Sequence, residues 1–104
     1  MGGEGQPAAL IVISALGRIV EVDEAACALV GYTREELVGM HGTELIFEDR
    51  RPRVAVSLDR MRRGDLDRRT GELRHKSGRV VPVEVEAEPR SDGNLALHLR
   101  APAG

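Results

Sequence analysis

The sequence predicts an α+β domain with an antiparallel sheet. The prediction follows from where strand-like and helix-like sequence patterns lie along the chain. Apolar and β-branched runs of strand length lie near both ends of the chain, whereas capped helical patterns lie in the middle. Strands and helices grouped in this way are typical of an α+β fold, in which the helices cover one face of the sheet. The length of 104 residues corresponds to one domain.

The N-terminal part predicts a β-hairpin followed by a helix. Residues 9–14 form a short apolar run rich in β-branched side chains, which predicts a buried strand, and residues 19–22 follow at hairpin distance. Gly17 provides the turn between the two strands. Asp23 is a suitable N-cap for a helix over residues 24–30, because its carboxylate accepts hydrogen bonds from the free amides of the first turn.

Residues 31–39 predict a helix of one to two turns that is bounded at both ends. Thr33 offers a side-chain oxygen as N-cap, and Glu36, three positions later, can reach back to the amide of the cap residue. This arrangement is a capping box. Gly39 can adopt the left-handed conformation that ends many helices.

A longer helix is predicted between Pro52 and Gly64. Proline is favoured in the first turn of a helix, and glycine is favoured after the last turn. Between these two residues, apolar side chains recur at positions i, i+4 and i+7 and form one stripe, namely Val54, Leu58 and Met61. Residues 41–47, which precede this helix, fit either a turn or another short helix.

The last part of the chain predicts three antiparallel strands over residues 67–75, 79–88 and 95–100. In the second of them, Val81, Val83, Val85 and Ala87 alternate with a set that includes Glu84, Glu86 and Glu88, a period-two pattern expected for a strand with one buried and one solvated face. Pro82 interrupts this strand and has no amide hydrogen to donate. We therefore expect its backbone nitrogen to face outward or to lie at a bulge.

The net charge of −2 conceals an uneven distribution. Residues 1–49 contain two arginines and nine acidic residues, whereas residues 50–69 contain eight arginines and three aspartates. We interpret the basic segment as a solvated helix face near the acidic first half of the same fold; an acidic partner or nucleic acid is the alternative. Nucleic acid is disfavoured because Tyr32 and Phe47 are the only aromatic residues available for stacking on bases.

The sequence also bears on compartment and organisation. Cys27 is the only cysteine, so an internal disulfide is excluded, and no apolar run approaches the roughly 20 residues of a membrane span. The first residues lack the basic start of a secretory signal. We therefore predict a cytoplasmic protein with no membrane contact in this segment, a flexible lead-in at residues 1–7, a domain at residues 8–100, and a tail or linker at residues 101–104.

Over about residues 8–100 the chain resembles PAS domains, the sensory modules of bacterial histidine kinases, cyclic-nucleotide enzymes and transcription regulators. The resemblance depends on several short motifs in the family's order and spacing: residues 16–20, 23–26, 31–39, 63–64, 75–78 and 92–93. It implies a five-stranded antiparallel sheet in the order 2-1-5-4-3, with short helices packed on one face. Asp23 stands where the family often has asparagine, a mild departure because both residues cap helices.

The resemblance also indicates which residues a flavin or haem cofactor would require. Flavin-binding, light-sensing PAS domains carry a reactive cysteine at the position of Gly42, and oxygen-sensing members carry a haem-ligating histidine near Val54. Neither side chain is present here, so no flavin adduct and no haem are expected. The spacing of His41, His75 and His98 does not indicate a metal site. No nucleophile motif or phosphate-binding loop is present either, so no catalytic residue is expected.

The resemblance implies a non-catalytic regulatory module in signal transduction, of bacterial two-component type. It implies a homodimer formed through the outer sheet face, with strands 9–14, 79–88 and 95–100, and relay to an attached output domain such as a histidine kinase. The alternative is a sensor that holds a colourless metabolite or apolar ligand between helices 40–63 and the sheet.

Eight apolar side chains are expected to line any such cavity: Ile11, Ile13, Leu29, Leu37, Leu45, Val54, Leu58 and Leu73. Because no polar anchor accompanies them, the simpler expectation is that they fill a solid core.

Overall fold

The computed structural model describes residues 8–102. Within this range the elements follow the predicted order: β1 (Ala9–Ile13), β2 (Ile19–Val22), α1 (Glu24–Val30), α2 (Arg34–Leu37), α3 (Arg51–Arg62), β3 (Arg68–Arg74), β4 (Val80–Pro89) and β5 (Leu95–Arg100). Two 3₁₀ turns, Gly42–Leu45 and Glu48–Arg50, connect α2 to α3. The predicted lead-in at residues 1–7 and residues 103–104 of the predicted tail lie outside the described residues. No helix between residues 8 and 102 has the length and apolar character needed to cross a bilayer.

The five strands form one antiparallel sheet in the order β2-β1-β5-β4-β3, which confirms the predicted topology. The first and last strands of the chain are therefore neighbours at the centre of the sheet. A bulge between Val12 and Ile13 leaves an extra residue on β2, which lets both Ile19 and Val22 face the core. The α-helices cover the inner face, where the apolar side chains of the strands are buried.

Strand β4 shows the predicted alternation. Val81, Val83 and Ala87 are buried on the inner face, whereas Pro82 is exposed on the outer face. β5 ends at Arg100, which lies opposite Glu84, so β4 extends beyond its neighbour at Pro82. The proline therefore occupies a part of β4 that has lost one of its two neighbouring strands.

The outer face is not uniformly solvated. Val12 and Ala96 lie opposite each other on this face, and both are 0% exposed. Arg90, beyond the end of β4, forms an ion pair with Glu21 on β2 at 3.7 Å between Nη1 and Oε1. Because β5 and β1 lie between these two residues, the Arg90 side chain crosses both strands and helps to cover the apolar pair.

Helix α1 is tied to the sheet at its beginning. The Asp23 carboxylate accepts hydrogen bonds from Ala26 N at 2.9 Å and from Leu10 N at 3.1 Å, so one side chain caps the helix and holds β1. This confirms Asp23 as the N-cap. The helix ends at Gly31, whose φ of 79° lies in the left-handed region.

Gly31→Ala is expected to destabilise the fold by more than about 1 kcal/mol, because alanine is strained at a positive φ. A Cβ atom at Gly31 would also lie 2.4 Å from the His75 ring, in the β3–β4 turn. Gly39→Ala is the matched control, since Gly39 has a φ of 95° with open space around it. In urea denaturation, the excess cost at Gly31 should disappear in a His75→Ala background; an excess that persists would contradict the steric explanation.

Helix α2 has the predicted capping box. Thr33 Oγ1 accepts a hydrogen bond from Glu36 N at 3.1 Å, and Glu36 Oε1 accepts one from Thr33 N at 2.9 Å. The helix is a single turn that ends at Leu37, earlier than Gly39. Val38 is already extended, and Gly39 then takes a positive φ while its amide donates to Ile19 O at 2.8 Å. The turn after α2 is therefore anchored to β2.

Glu36 also accepts a hydrogen bond from Lys76 Nζ at 2.6 Å, and the Lys76 ammonium lies 5.7 Å from the centre of the Tyr32 ring. The hydrogen bond from Lys76, followed by that from the Thr33 amide, holds the pKa of Glu36 below its ordinary value of 4.5. Because the ionised form is favoured in the folded state, Glu36 stabilises the fold above that pH, and the contribution is lost as the pH falls through the lowered pKa.

Glu36→Gln is therefore expected to lower the melting temperature at neutral pH and to have little effect in acid, where the wild-type carboxyl is protonated as well. Glutamine can still accept from the cap amide, so the variant removes mainly the charge. Thermal unfolding of both proteins across the acidic range measures this difference. An equal difference at every pH would contradict the role of the charge.

Between residues 8 and 102, the arginines of the basic segment at residues 50–69 do not find their carboxylate partners in the acidic first half of the chain. Among the described residues, these arginines pair with four carboxylates, all of them beyond residue 49: Asp59, Asp65, Glu72 and Glu86. Contacts with the first half go to backbone carbonyls instead, as when Arg62 Nη2 donates to Ser14 O at 2.7 Å. This bond docks the end of α3 onto the turn after β1.

Candidate ligand cavity

A cavity of about 150 Å³ lies between the inner face of the sheet and the segment that runs from the first 3₁₀ turn to the end of α3. Its walls are mostly aliphatic. All five strands contribute to them, and α3 contributes Val54, Leu58 and Met61. The stripe that the sequence predicts on α3 therefore faces the cavity, with Met61 buried and the other two residues half-buried.

The sequence explains why space remains here. Gly71, in the middle of β3, lies opposite Val83 on the inner face, and a Cβ atom at Gly71 would meet no other atom within 4 Å. A glycine inside a strand leaves room next to the backbone. Tyr32 and Phe47 are not among the lining residues, so neither of these two aromatic rings fills the space.

One end of the cavity is polar and lies between α3 and the edge strand β3. We call this end the mouth and define it by Arg50, Arg53, Ser57, Arg69 and Glu72. Arg50 forms an ion pair with Glu72, and Arg69 Nη1 donates a hydrogen bond to Ser57 Oγ. Both contacts cross the gap between the helical segment and the strand, so the mouth is bridged by side chains and not by backbone.

The first 3₁₀ turn forms another part of the cavity wall. His41 Nδ1 accepts a hydrogen bond from Thr43 N at 3.3 Å and lies 2.9 Å from Thr43 Oγ1, so this histidine caps the turn. Gly42 N donates to Gly17 O at 2.8 Å, which joins the turn to the β1–β2 connection. A Cβ atom at Gly17 would lie 2.9 Å from His41 Nε2, so the histidine ring packs where glycine makes room for it.

Six of the eight side chains predicted to line a cavity lie in its wall: Ile11, Ile13, Leu45, Val54, Leu58 and Leu73. Leu37 and Leu29 do not. Leu37 is completely buried in the core under α2, and Leu29 on α1 is half-buried against that core. The physical reason is that α1 and α2 pack on β1 and β2, whereas the cavity lies under α3.

Sequence reasoning missed several lining residues, and two groups of them differ in whether the sequence offered a signal. Val83 and Val85 belong to the inward-facing set of β4, and the period-two pattern of that strand was a sufficient signal to find them. The residues of the mouth carried no such signal. They belong to β3 and to the beginning of the α3 region, and these two segments meet only in the folded chain.

Other polar side chains lie apart from the cavity. His98 Nε2 on the outer face contacts Glu88 Oε1 at 3.2 Å, and His75 lies beside Gly31. Between residues 8 and 102 there is no group of three or more His, Cys, Asp or Glu side chains that could hold a metal ion. Glu86 pairs with Arg68 and Arg100 on the outer face, so the carboxylates of β4 have basic neighbours.

Comparison with known proteins identifies the fold family. A family model of the PAS fold matches residues 4–98. The chain belongs to the PAS family. The expected resemblance is thereby confirmed over nearly the whole chain. A search of curated proteins finds no match.

Solved PAS structures share the architecture. A domain of a sensory box sensor histidine kinase/response regulator from Geobacter sulfurreducens is 24% identical, with a TM-score of 0.79 over 91% of this chain and 82% of that one. A PAS domain from Desulfitobacterium hafniense is 18% identical, with a TM-score of 0.79 over 98% of both chains. The LOV domain of a blue-light-activated histidine kinase from Erythrobacter litoralis is 18% identical, with a TM-score of 0.74 over 89% of this chain and 94% of that one.

Two positions that hold cofactor-binding residues in other PAS domains both lie in the cavity wall of this chain. Gly42 stands where flavin-binding relatives carry a reactive cysteine, and Val54 stands near the position of the haem ligand. Cys27, the one thiol of the chain, is on α1 and does not line the cavity. The wall of this PAS domain therefore offers neither a thiol for a flavin nor an axial histidine at those positions. That no cofactor binds stays a prediction.

Proposed function

We propose that this PAS domain is a sensory module in signal transduction and that its input is a small apolar ligand held in the cavity. The observation that carries the proposal is an aliphatic cavity of about 150 Å³ in contact with all five strands. An engineered cavity of that volume in another protein binds benzene. The ligand would accordingly have an apolar body of about six carbon atoms.

The proposed relay uses the sheet itself. Each inward-facing lining residue of β1, β4 and β5 has neighbours in the same strand that face outward, so a shift of these strands on ligand binding changes the outer face. The attached output domain is proposed to be of the histidine kinase type, supported by the names of structurally similar PAS domains. The module itself is proposed to be non-catalytic and cytoplasmic.

The outer face is proposed to contact a second copy. Val80 is 47% exposed on this face, next to the exposed Pro82, at the end of β4 that extends beyond β5. Farther along β4, Glu86 lies between Arg68 and Arg100. A face with both charges and an exposed apolar end is suited to pairing with itself about a two-fold axis.

Titration of the isotope-labelled domain with hexanamide, followed by amide NMR shifts, tests the ligand proposal. Saturable shifts should occur in β3, β4 and α3. A titration without saturable shifts would contradict a ligand-binding function. The visible absorbance of the purified domain is expected to be featureless, and a chromophore would overturn the proposed colourless ligand.

Light scattering over a range of concentrations tests the dimer separately. Val80→Lys should weaken association, whereas Val56→Lys should not, since Val56 is 62% exposed on α3, away from the sheet's outer face. A wild-type protein that stays monomeric at every concentration would refute the dimer without affecting the ligand proposal.

A further inference from the structure

We infer that the ligand of the cavity is a small monocarboxylate whose apolar body occupies the interior and whose carboxylate lies at the mouth. This inference rests on the proposed function and adds the chemical class of the ligand. It follows from the charges at the mouth, where three arginines meet one carboxylate, that of Glu72. The polar end of the cavity therefore has an excess of positive charge.

Two of these arginines have no carboxylate partner in the part of the chain that the structure describes. The ion pairs within 4 Å among the described residues do not include Arg53 or Arg69. Arg50 is the arginine of the mouth that pairs with Glu72. Arg69 makes its hydrogen bonds to neutral oxygens: Ser57 Oγ, and Thr70 O at 2.8 Å. An anion at the mouth would meet two guanidinium groups whose charge is not already neutralised.

The positions of these side chains suit a single anionic head group. Arg53 and Ser57 are four residues apart on α3 and hence on one face of the helix, and Arg69 reaches Ser57 from β3 on the other side of the mouth. The hydrogen bonds of Arg69 use two of its five N–H donors, so donors remain for a ligand. A guanidinium group binds a carboxylate through paired hydrogen bonds, which makes a carboxylate the matching head group.

The interior of the cavity limits the polarity and the size of the rest of the ligand. Its walls beyond the mouth are mostly aliphatic, and an unpaired polar group buried there would lose its hydration without compensation. A second carboxylate on the ligand would therefore be unfavourable. The volume of about 150 Å³ limits the body to a short chain or one ring. Short fatty acids and simple aromatic acids both meet these conditions.

Isothermal titration calorimetry with hexanoate and hexanamide tests the inference, because the two molecules differ in charge and hardly in shape. At low ionic strength the wild-type domain should bind hexanoate about tenfold more tightly than hexanamide, the usual effect of a charge-assisted hydrogen bond. Arg53→Gln and Arg69→Gln should each weaken hexanoate binding more than hexanamide binding and so reduce this preference. Added salt should reduce it as well, since the mouth is open to solvent.

Arg60→Gln is the matched control. The substitution removes the same charge from the same helix, and Arg60 does not line the cavity. Equal affinities of the wild-type domain for hexanoate and hexanamide would overturn the carboxylate inference and leave the ligand-binding function standing. If neither molecule binds, the proposed function fails together with the inference. An equal loss of preference in Arg60→Gln would assign the effect to overall charge and overturn the role of the mouth.

Discussion

Leu37→Ala is expected to lower the free energy of unfolding by about 3 kcal/mol, the middle of the range for a buried leucine. Leu37 is 0% exposed and belongs to the core that α2 forms with the sheet. Truncation would leave a void there, because the surrounding side chains are held by the sheet and by the anchored turn after α2. The loss combines the transfer free energy of the removed carbons and the cost of the new cavity.

Leu58→Ala gives the matched comparison. Leu58 is half-buried and already faces the cavity, so its removal enlarges an existing space and breaks fewer contacts. We expect about half the loss of stability seen for Leu37→Ala. Urea denaturation with unchanged slopes measures both values. If Leu37→Ala were no more costly than Leu58→Ala, the division of the interior into a solid core and a cavity would be wrong.

Val54→Phe is expected to weaken hexanamide binding by at least about tenfold by filling the cavity. The valine lines the cavity from α3, and a phenylalanine ring is comparable in size to the body that the cavity can hold. Because the added atoms enter existing space, stability should change by less than about 1 kcal/mol. The variant therefore separates ligand binding from folding, which core truncations do not.

Val56→Phe controls for the added ring. Val56 is exposed on the same helix and does not line the cavity, so this variant should bind hexanamide as the wild type does. Calorimetric titration and thermal unfolding of both variants give the two readouts. Undiminished binding in a well-folded Val54→Phe protein would mean that the ligand lies elsewhere.

The local elements of the fold were predictable because each has its cause in neighbouring residues. The capping box of Thr33 and Glu36 and the N-cap at Asp23 are contacts over three positions, and they formed as predicted. The alternation of β4 likewise depends only on the pleat of the strand. The order of the strands, in contrast, was predicted through family resemblance, since period-two patterns do not say which strands are neighbours.

The candidate site was predictable only in part, because it depends on how α3 lies over the sheet. Val54 and Leu58 lie in the cavity wall, because the helical stripe decides which way they face. Leu37 has the same apolar character, but α2 packs on β2, outside the cavity. The meeting of Arg69 with Ser57 is a contact between elements, and no local pattern encodes it.

The claim that the cavity holds a ligand is tested most directly by NMR contacts between hexanamide and the labelled methyl groups of the domain. We expect nuclear Overhauser effects from the ligand to Ile13, Leu58 and Val83, which line the cavity from three elements, and none to Leu37 in the solid core. Effects to Leu16 alone, which is 83% exposed in the β1–β2 turn, or no effects at all would contradict it.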